Sequence, residues 1–123
     1  MEDSDSGRAS AAPWLTIDRR RLHRIGDPRQ AVIVADPVRS RFLVPFLGRA
    51  LTVTEAAREV GCDADTMLYR VRRMVAAGLL RVVATRARAG RPVKVYRSPH
   101  DGYFVPLDVM PYDDLRHRVS AQG

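Results

Sequence analysis

Residues 52–78 read TVTEAAREVGCDADTMLYRVRRMVAAG, and the punctuation within this stretch decides what the chain can fold into. Thr52 followed three places on by Glu55 fits a capping box, in which the threonine hydroxyl accepts from the Glu55 amide and the carboxylate accepts from the Thr52 amide. The short helix opened there runs to Val60 with Ala56 and Ala57 on its inner side, and Gly61 supplies the left-handed residue that ends it. Asp63 caps a further helix over 64–77, where Met67, Val71 and Met74 recur at i, i+4 and i+7 as one buried stripe. Gly78 stops this helix, and Leu79-Leu80 returns to the core.

Two helices joined by a turn of about three residues make a helix-turn-helix unit. Upstream, Asp36-Pro37 is a cap followed by a first-turn proline, opening an apolar segment with Val38, Phe42, Leu43, Phe46 and Leu47 at helical spacing. Pro45 removes a backbone donor inside it, so this first helix either kinks or ends around Val44, and Gly48 ends it in any case. Asp27-Pro28 repeats the signal, but Ala31-Val32-Ile33-Val34 favours a strand by β-branching; the segment is ambiguous and leans helical. Downstream, Leu80 to Arg86 and Val93 to Arg97 are strand candidates joined through Ala87 to Pro92, with Gly90 permitting positive φ at the tip and Pro92 marking an edge. Arg86, Arg88 and Arg91 then tip a hairpin wing. Beyond Ser98-Pro99 the chain runs through Tyr103–Leu107 to a candidate last helix over 111–119. The expected fold is mainly α with a small β-hairpin wing, a winged helix-turn-helix.

The chain has 123 residues, one small domain, too short for a large two-domain enzyme. Its single cysteine, Cys62, closes no internal disulfide and supplies no thiolate pair, which fits a reducing compartment. The opening Met1-Glu-Asp-Ser-Asp-Ser-Gly is acidic where a secretory signal is basic and then apolar, and no stretch approaches a bilayer span, so the expected location is cytoplasmic, with no membrane partner. Residues 1–13 hold too few large apolar groups to offset ordering entropy and are expected as a flexible tail. Residues 14–35 follow as an N-terminal arm or helix carrying Trp14, Leu15, Ile17, Leu22 and Ile25, 36–98 as the winged helix-turn-helix, and 99–123 as a C-terminal extension with a short helix.

Charge is unevenly placed. The formal net charge is +7, yet residues 70–98 alone carry eight arginines, one lysine and no acid, a surplus larger than that of the whole chain. Such a window repels itself unless a polyanion offsets it, and nucleic acid is the leading partner.

The ordered set Asp36-Pro37-Val38-Arg39, Leu51 to Ala57 into Gly61, Asp65 to Arg73 with Ala77-Gly78-Leu79-Leu80, and Gly90 to Arg97 resembles the winged helix-turn-helix of bacterial transcription regulators, in detail the ArsR-like branch. The resemblance covers about 36–107 and implies a dimeric DNA-binding repressor or activator. The chain departs from it at Pro45, and little of it follows the wing, so a small-molecule effector is not expected.

The mechanism also follows without the family. A major groove admits one α-helix, and the side of the 64–77 helix opposite Met67, Val71 and Met74 carries Asp65, Tyr69, Arg72 and Ala76, flanked by Thr66, Leu68 and Arg73. Arg72 or Arg73 could fork onto guanine, Tyr69 and Thr66 could meet a phosphate or a thymine methyl, and Leu68 could add apolar contact. Tyr69 could equally lie over its own helix, and Arg70, nearer the core flank, could pair with Glu55 or Glu59. In the wing, Arg86, Arg88, Arg91 and Lys94 are the candidates for the minor groove or its phosphates. Neutralising about six phosphates gives a salt slope near −5.

Other chemistry finds little support. Cys62 reads as a small buried hydrophobe rather than a ligand. Asp113 and His117 could join His100 and Asp101 around a metal, but a solvated face explains them as well; no metal or cofactor is expected, and His23 reads as surface. No catalytic constellation is present, so the chain is not expected to be an enzyme. A homodimer would use Trp14 to Ile25 and Leu115 and Val119, unless these merely cover the monomer core. The rival function is a winged-helix module clamping an acidic protein or RNA with its basic wing; an apolar outer face would favour it, and Leu68 alone is too small a patch.

Overall fold

Among the described residues every α-helix starts where an aspartate or threonine side chain turns back onto the amides that follow it. In a computed structural model describing residues 22–111, α1 (Pro28–Val34) is opened by Asp27, α2 (Pro37–Ser40) by Asp36, α3 (Val53–Val60) by Thr52 and α4 (Ala64–Ala76) by Asp63. The capping box is complete: Thr52 N–H donates to Glu55 Oε1 at 2.9 Å and Glu55 N–H to Thr52 Oγ1 at 3.2 Å. Gly61, at φ 85°, closes α3 in the left-handed region, and its N–H and that of Cys62 both reach the Ala57 carbonyl. Cys62 sits half-buried against the core.

The segment after Asp36 departs from a regular helix. α2 stops at Ser40, and the chain continues through a turn into a 3-10 helix over Val44–Phe46. Pro45 is the cause: with no N–H it cannot continue the i→i−4 ladder. The amides of Phe42, Leu43, Phe46 and Leu47 instead each donate to the carbonyl three residues back, at 2.9–3.2 Å. This tighter winding buries Phe42, Leu43 and Phe46 while leaving Val44 59% exposed. Together with Leu51, Ala56, Ala57, Met67, Val71, Met74, Leu79, Leu80 and Tyr96 they form one core.

The wing strands are longer than the sequence suggests. β3 (Arg81–Arg88) and β4 (Arg91–Arg97) pair antiparallel, with an irregularity between Val82 and Ala84. Only Ala89 and Gly90 form the tip, at φ 52° and 77°. Two consecutive left-handed residues match the twist of a two-residue hairpin turn, so the ladder extends to Arg88 opposite Arg91. On its other side β4 pairs with β2 (Leu51–Thr52), a strand too short to announce itself in sequence, giving the sheet order β2-β4-β3. Pro92, opposite Ala87, lies outside the β2 pairing, where a missing donor breaks no ladder bond on that side.

The flanks of this unit are joined to each other. β1 (His23–Arg24) runs parallel to β5 (Tyr103–Phe104), with His23 N–H to Gly102 O and Ile25 N–H to Phe104 O both at 2.9 Å. Ile25, a candidate for a dimer surface in the sequence, is instead fully buried within its own chain. α1 forms as a helix, and Gln30 Nε2 donates to the Ala77 carbonyl at 2.9 Å, tying α1 to the end of α4. A further 3-10 helix spans Leu107–Val109; all but the first residue of the expected last helix over 111–119, and the apolar residues Trp14, Leu115 and Val119, lie outside the described residues.

Where the flanks meet, the His23 and His100 rings stack at 3.9 Å, Tyr103 meets both edge-on, and its hydroxyl lies 2.6 Å from Ser98 Oγ. Burial, then the neighbouring His23 and Arg81, hold the His100 pKa below its ordinary 6.5, against the opposing pull of Asp101. A base whose folded pKa is depressed contributes stability that is complete above the unfolded value and is lost as pH falls through the folded one. Thermal melts should therefore show a falling Tm as pH drops below about 6.5, and His100→Phe, which keeps a stacking ring without a titrating group, should flatten that fall.

Candidate nucleic-acid interface

α4 separates its two faces residue by residue. Met67, Val71 and Met74 are buried, while Asp65, Thr66, Tyr69, Arg72, Arg73 and Ala76 are exposed and Leu68 is half-buried. Asp65 lies in the first turn, where its charge complements the positive end of the helix dipole. Asp63 is held below the usual carboxylate range by the Thr66 amide that donates to it at 2.7 Å.

Tyr69 lies against its own helix, with the Arg73 guanidinium 5.5 Å and the Arg70 guanidinium 5.7 Å from its ring centre. Arg70 pairs with neither Glu55 nor Glu59, the two partners open to it in the sequence. It lies over the Phe42 ring at 4.7 Å, and both carboxylates are taken: Glu55 by Arg86 at 3.0 Å and Glu59 by Arg49. The Glu55 pKa is lowered from its ordinary value, first by the Thr52 amide and then by Arg86. This one side chain therefore caps α3 with one oxygen and braces β3 with the other.

The run without acids in the sequence is not acid-free in space. Arg86 meets Glu55, and Arg97 meets Asp101 at 3.3 Å, both acids coming from outside 70–98. Residues directly opposite in an antiparallel ribbon, and residues two apart along a strand, share a face. The pairs Arg86↔Val93 and Arg88↔Arg91 therefore place Arg86, Arg88 and Arg91 on one face, whereas Thr85↔Lys94 and Ala87↔Pro92 put Lys94 on the other. The sequence groups these four cations together; the register separates Lys94 from the arginines, and the ion pair separates Arg86 from the other two. Arg72, Arg73, Arg88 and Arg91 have no carboxylate within 4 Å among the described residues.

Sequence reasoning passed over Arg39. It sits on α2 and lines the same hollow as Arg70 and Arg73; nothing in a linear pattern brings positions 39 and 70 together. His23, half-buried, stacks on the exposed His100, and no cluster of three or more His, Cys, Asp or Glu able to hold a metal occurs among the described residues. Asp113 and His117 lie outside them. No helix among the described residues is long and apolar enough to cross a membrane.

Residues 34–83 match the family described as a helix-turn-helix domain. This segment is a helix-turn-helix domain. The match takes in α2, α3 and α4 and ends within β3, so most of the wing that completes the winged form lies beyond it. It runs through the residues from Asp36 to Leu80 that carry the ArsR-like resemblance, and not through Gly90 to Arg97. No curated protein matches the sequence. Solved structures to which the chain shows some similarity include NolR from Sinorhizobium fredii, 16% identical, covering 97% of this chain and 93% of its own at a TM-score of 0.45. HlyU from Vibrio cholerae is 18% identical over 97% of both chains, at 0.46. The homodimeric winged helix-turn-helix DNA-binding domain of Mb0332 from Mycobacterium bovis is 16% identical over 99% of this chain and 89% of its own, at 0.45.

Proposed function

We propose that the chain binds double-stranded DNA as a homodimer and regulates transcription by occupying an operator, as an ArsR-like regulator, with no catalytic role. The observation that carries this reading is the polar outer face of α4: Asp65, Thr66, Tyr69, Arg72 and Arg73 are exposed on a helix held from behind by Met67, Val71 and Met74. A helix presented in this way fits a major groove, where side chains on its outer face reach base edges. Arg72 reads guanine through its two-pronged fork, Asp65 accepts from a base amino group, and Tyr69, Thr66 and Leu68 supply phosphate and methyl contacts. Arg88 and Arg91 hold the flanking backbone. An acidic-partner clamp would want a contiguous apolar area on that face, and the one large aromatic there, Tyr69, is exposed but flanked by two guanidiniums.

Residues 36–98 act as the DNA-binding unit and the flanks, 14–35 and 99–123, as the dimerising part. Their β1–β5 pairing supports this division, since it leaves Phe104 and Leu107 exposed beside the joint.

The test is selection of bound sequences from random duplex DNA. Two-fold symmetric half-sites spaced by about one helical turn are the expected result; an unselected pool, or a single asymmetric site, would count against the homodimer reading. Repeating the selection with Arg72→Ala should relax one base position, costing about 1–3 kcal/mol for the preferred guanine and leaving other positions in their order.

A further inference from the structure

Beside the outer face of α4 lies an open cleft of about 320 Å³, lined by Asp36, Val38, Arg39, Tyr69, Arg70 and Arg73. Three guanidiniums from two elements converge on it. Asp36 is the one acid in its wall, and that carboxylate is occupied in accepting the amides of Val38 and Arg39, 3.6 Å from the Arg39 guanidinium. Arg70 and Arg73 have no carboxylate partner among the described residues. They are positioned by ring faces instead: Arg70 by Phe42, and both by Tyr69. A ring engages the flat face of a guanidinium and leaves its N–H edges available, so the donors are held in place before any ligand arrives.

Three cations around one carboxylate leave a surplus of positive charge, which repels itself until an anion enters. A phosphate oxygen accepts charge-assisted hydrogen bonds from guanidinium edges more strongly than from neutral donors. Tyr69 and Arg73 belong both to this cleft and to the exposed face of α4, so a strand whose bases face that helix passes the cleft mouth with its backbone. We propose that the cleft between α2 and α4 seats one backbone phosphate of the bound duplex, with Arg39 and Arg70 as its ligands. This rests on the DNA-binding reading and adds two residues to it that are neither in the wing nor on the outward face of α4.

The experiment is a salt titration of full-length chain on long duplex DNA, comparing wild type with Arg39→Gln and Arg39→Gln/Arg70→Gln. Arg39→Gln leaves Arg70 on Phe42, so it reports on the seat even where the double variant loses packing. Removing one phosphate contact lowers the slope of log affinity against log salt by about 0.9, which at roughly 0.15 M salt is about a fivefold loss. The expected result is that loss, spread equally over all sequences, with the selected half-site unchanged. An unaltered slope beside a steep wild-type slope overturns the seat and leaves the DNA reading standing. A changed half-site would also overturn it, by making these arginines base readers. Wild type that shows no salt-dependent binding overturns both. Phosphorus NMR with inorganic phosphate forms a second arm: a response lost in the variants while their duplex slope persists would assign the seat to a free phosphate and overturn the duplex assignment.

Discussion

Phe46→Ala should cost about 3–5 kcal/mol of folding free energy, the range for truncating a fully buried aromatic, in a domain whose total stability is of the order of 5–15 kcal/mol. Phe46 is completely buried, and its carbonyl accepts the Ser98 amide at 3.2 Å, where the chain leaves β4. The cavity would therefore open between the 3-10 turn, α3 and the sheet, and nothing nearby can collapse into it without moving the base of the wing. Val44→Ala, two residues away on the same short turn but mostly exposed, should change stability by no more than about 0.5 kcal/mol. Urea unfolding of the two variants measures both. Similar losses in the two would mean that the segment is a regular helix with a different inward face, because only the i→i−3 winding imposed by Pro45 assigns these two residues opposite fates.

That segment also marks the limit of what the sequence discloses. Caps and stops are local chemistry, so Asp27, Asp36, Thr52, Asp63 and Gly61 could be read from neighbours three or four residues away, and the structure has each of them at a helix end. The inner stripe of α4 was legible for the same reason, since its period belongs to a single element. Pro45 announced an interruption without saying which geometry would absorb it. What stayed hidden depends on residues far apart in the chain: β2 is two residues long and exists only because β4 offers it an edge, and β1 pairs with a strand 80 places on. The candidate interface divides along the same line. Exposure of Tyr69 and Arg72 follows from helical period, but the pairing of Arg86 with Glu55 and the meeting of Arg39 with Arg70 and Arg73 do not. One clue was available: a capping-box glutamate uses one oxygen for the cap, and the other was free to take a cation from a nearby strand.

That pairing divides the wing arginines into two kinds with opposite expected behaviour. Arg88 and Arg91 face each other directly across the tip of the ribbon with no carboxylate within 4 Å among the described residues, and like charges so placed destabilise a hairpin. If each neutralises one phosphate, Arg88→Ala/Arg91→Ala lowers the salt slope by about 1.8 and at roughly 0.15 M salt weakens binding to every sequence about thirtyfold. The same variant removes a repulsion, so its Tm should stand at or slightly above that of wild type. Arg86→Ala should do the reverse: its guanidinium is already engaged by Glu55 at 3.0 Å, so the slope stays near the wild-type value, while the lost brace lowers stability by up to about 1 kcal/mol, the usual range for a partly exposed pair. Lys94→Ala, on the far face of the ribbon, should move neither quantity by much. Salt titrations on random-sequence duplex and parallel melts of the three variants check the division. A slope that falls as far for Arg86→Ala as for each tip arginine would show that DNA draws Arg86 away from Glu55 on binding, and the wing would then be hinged at that ion pair instead of braced by it.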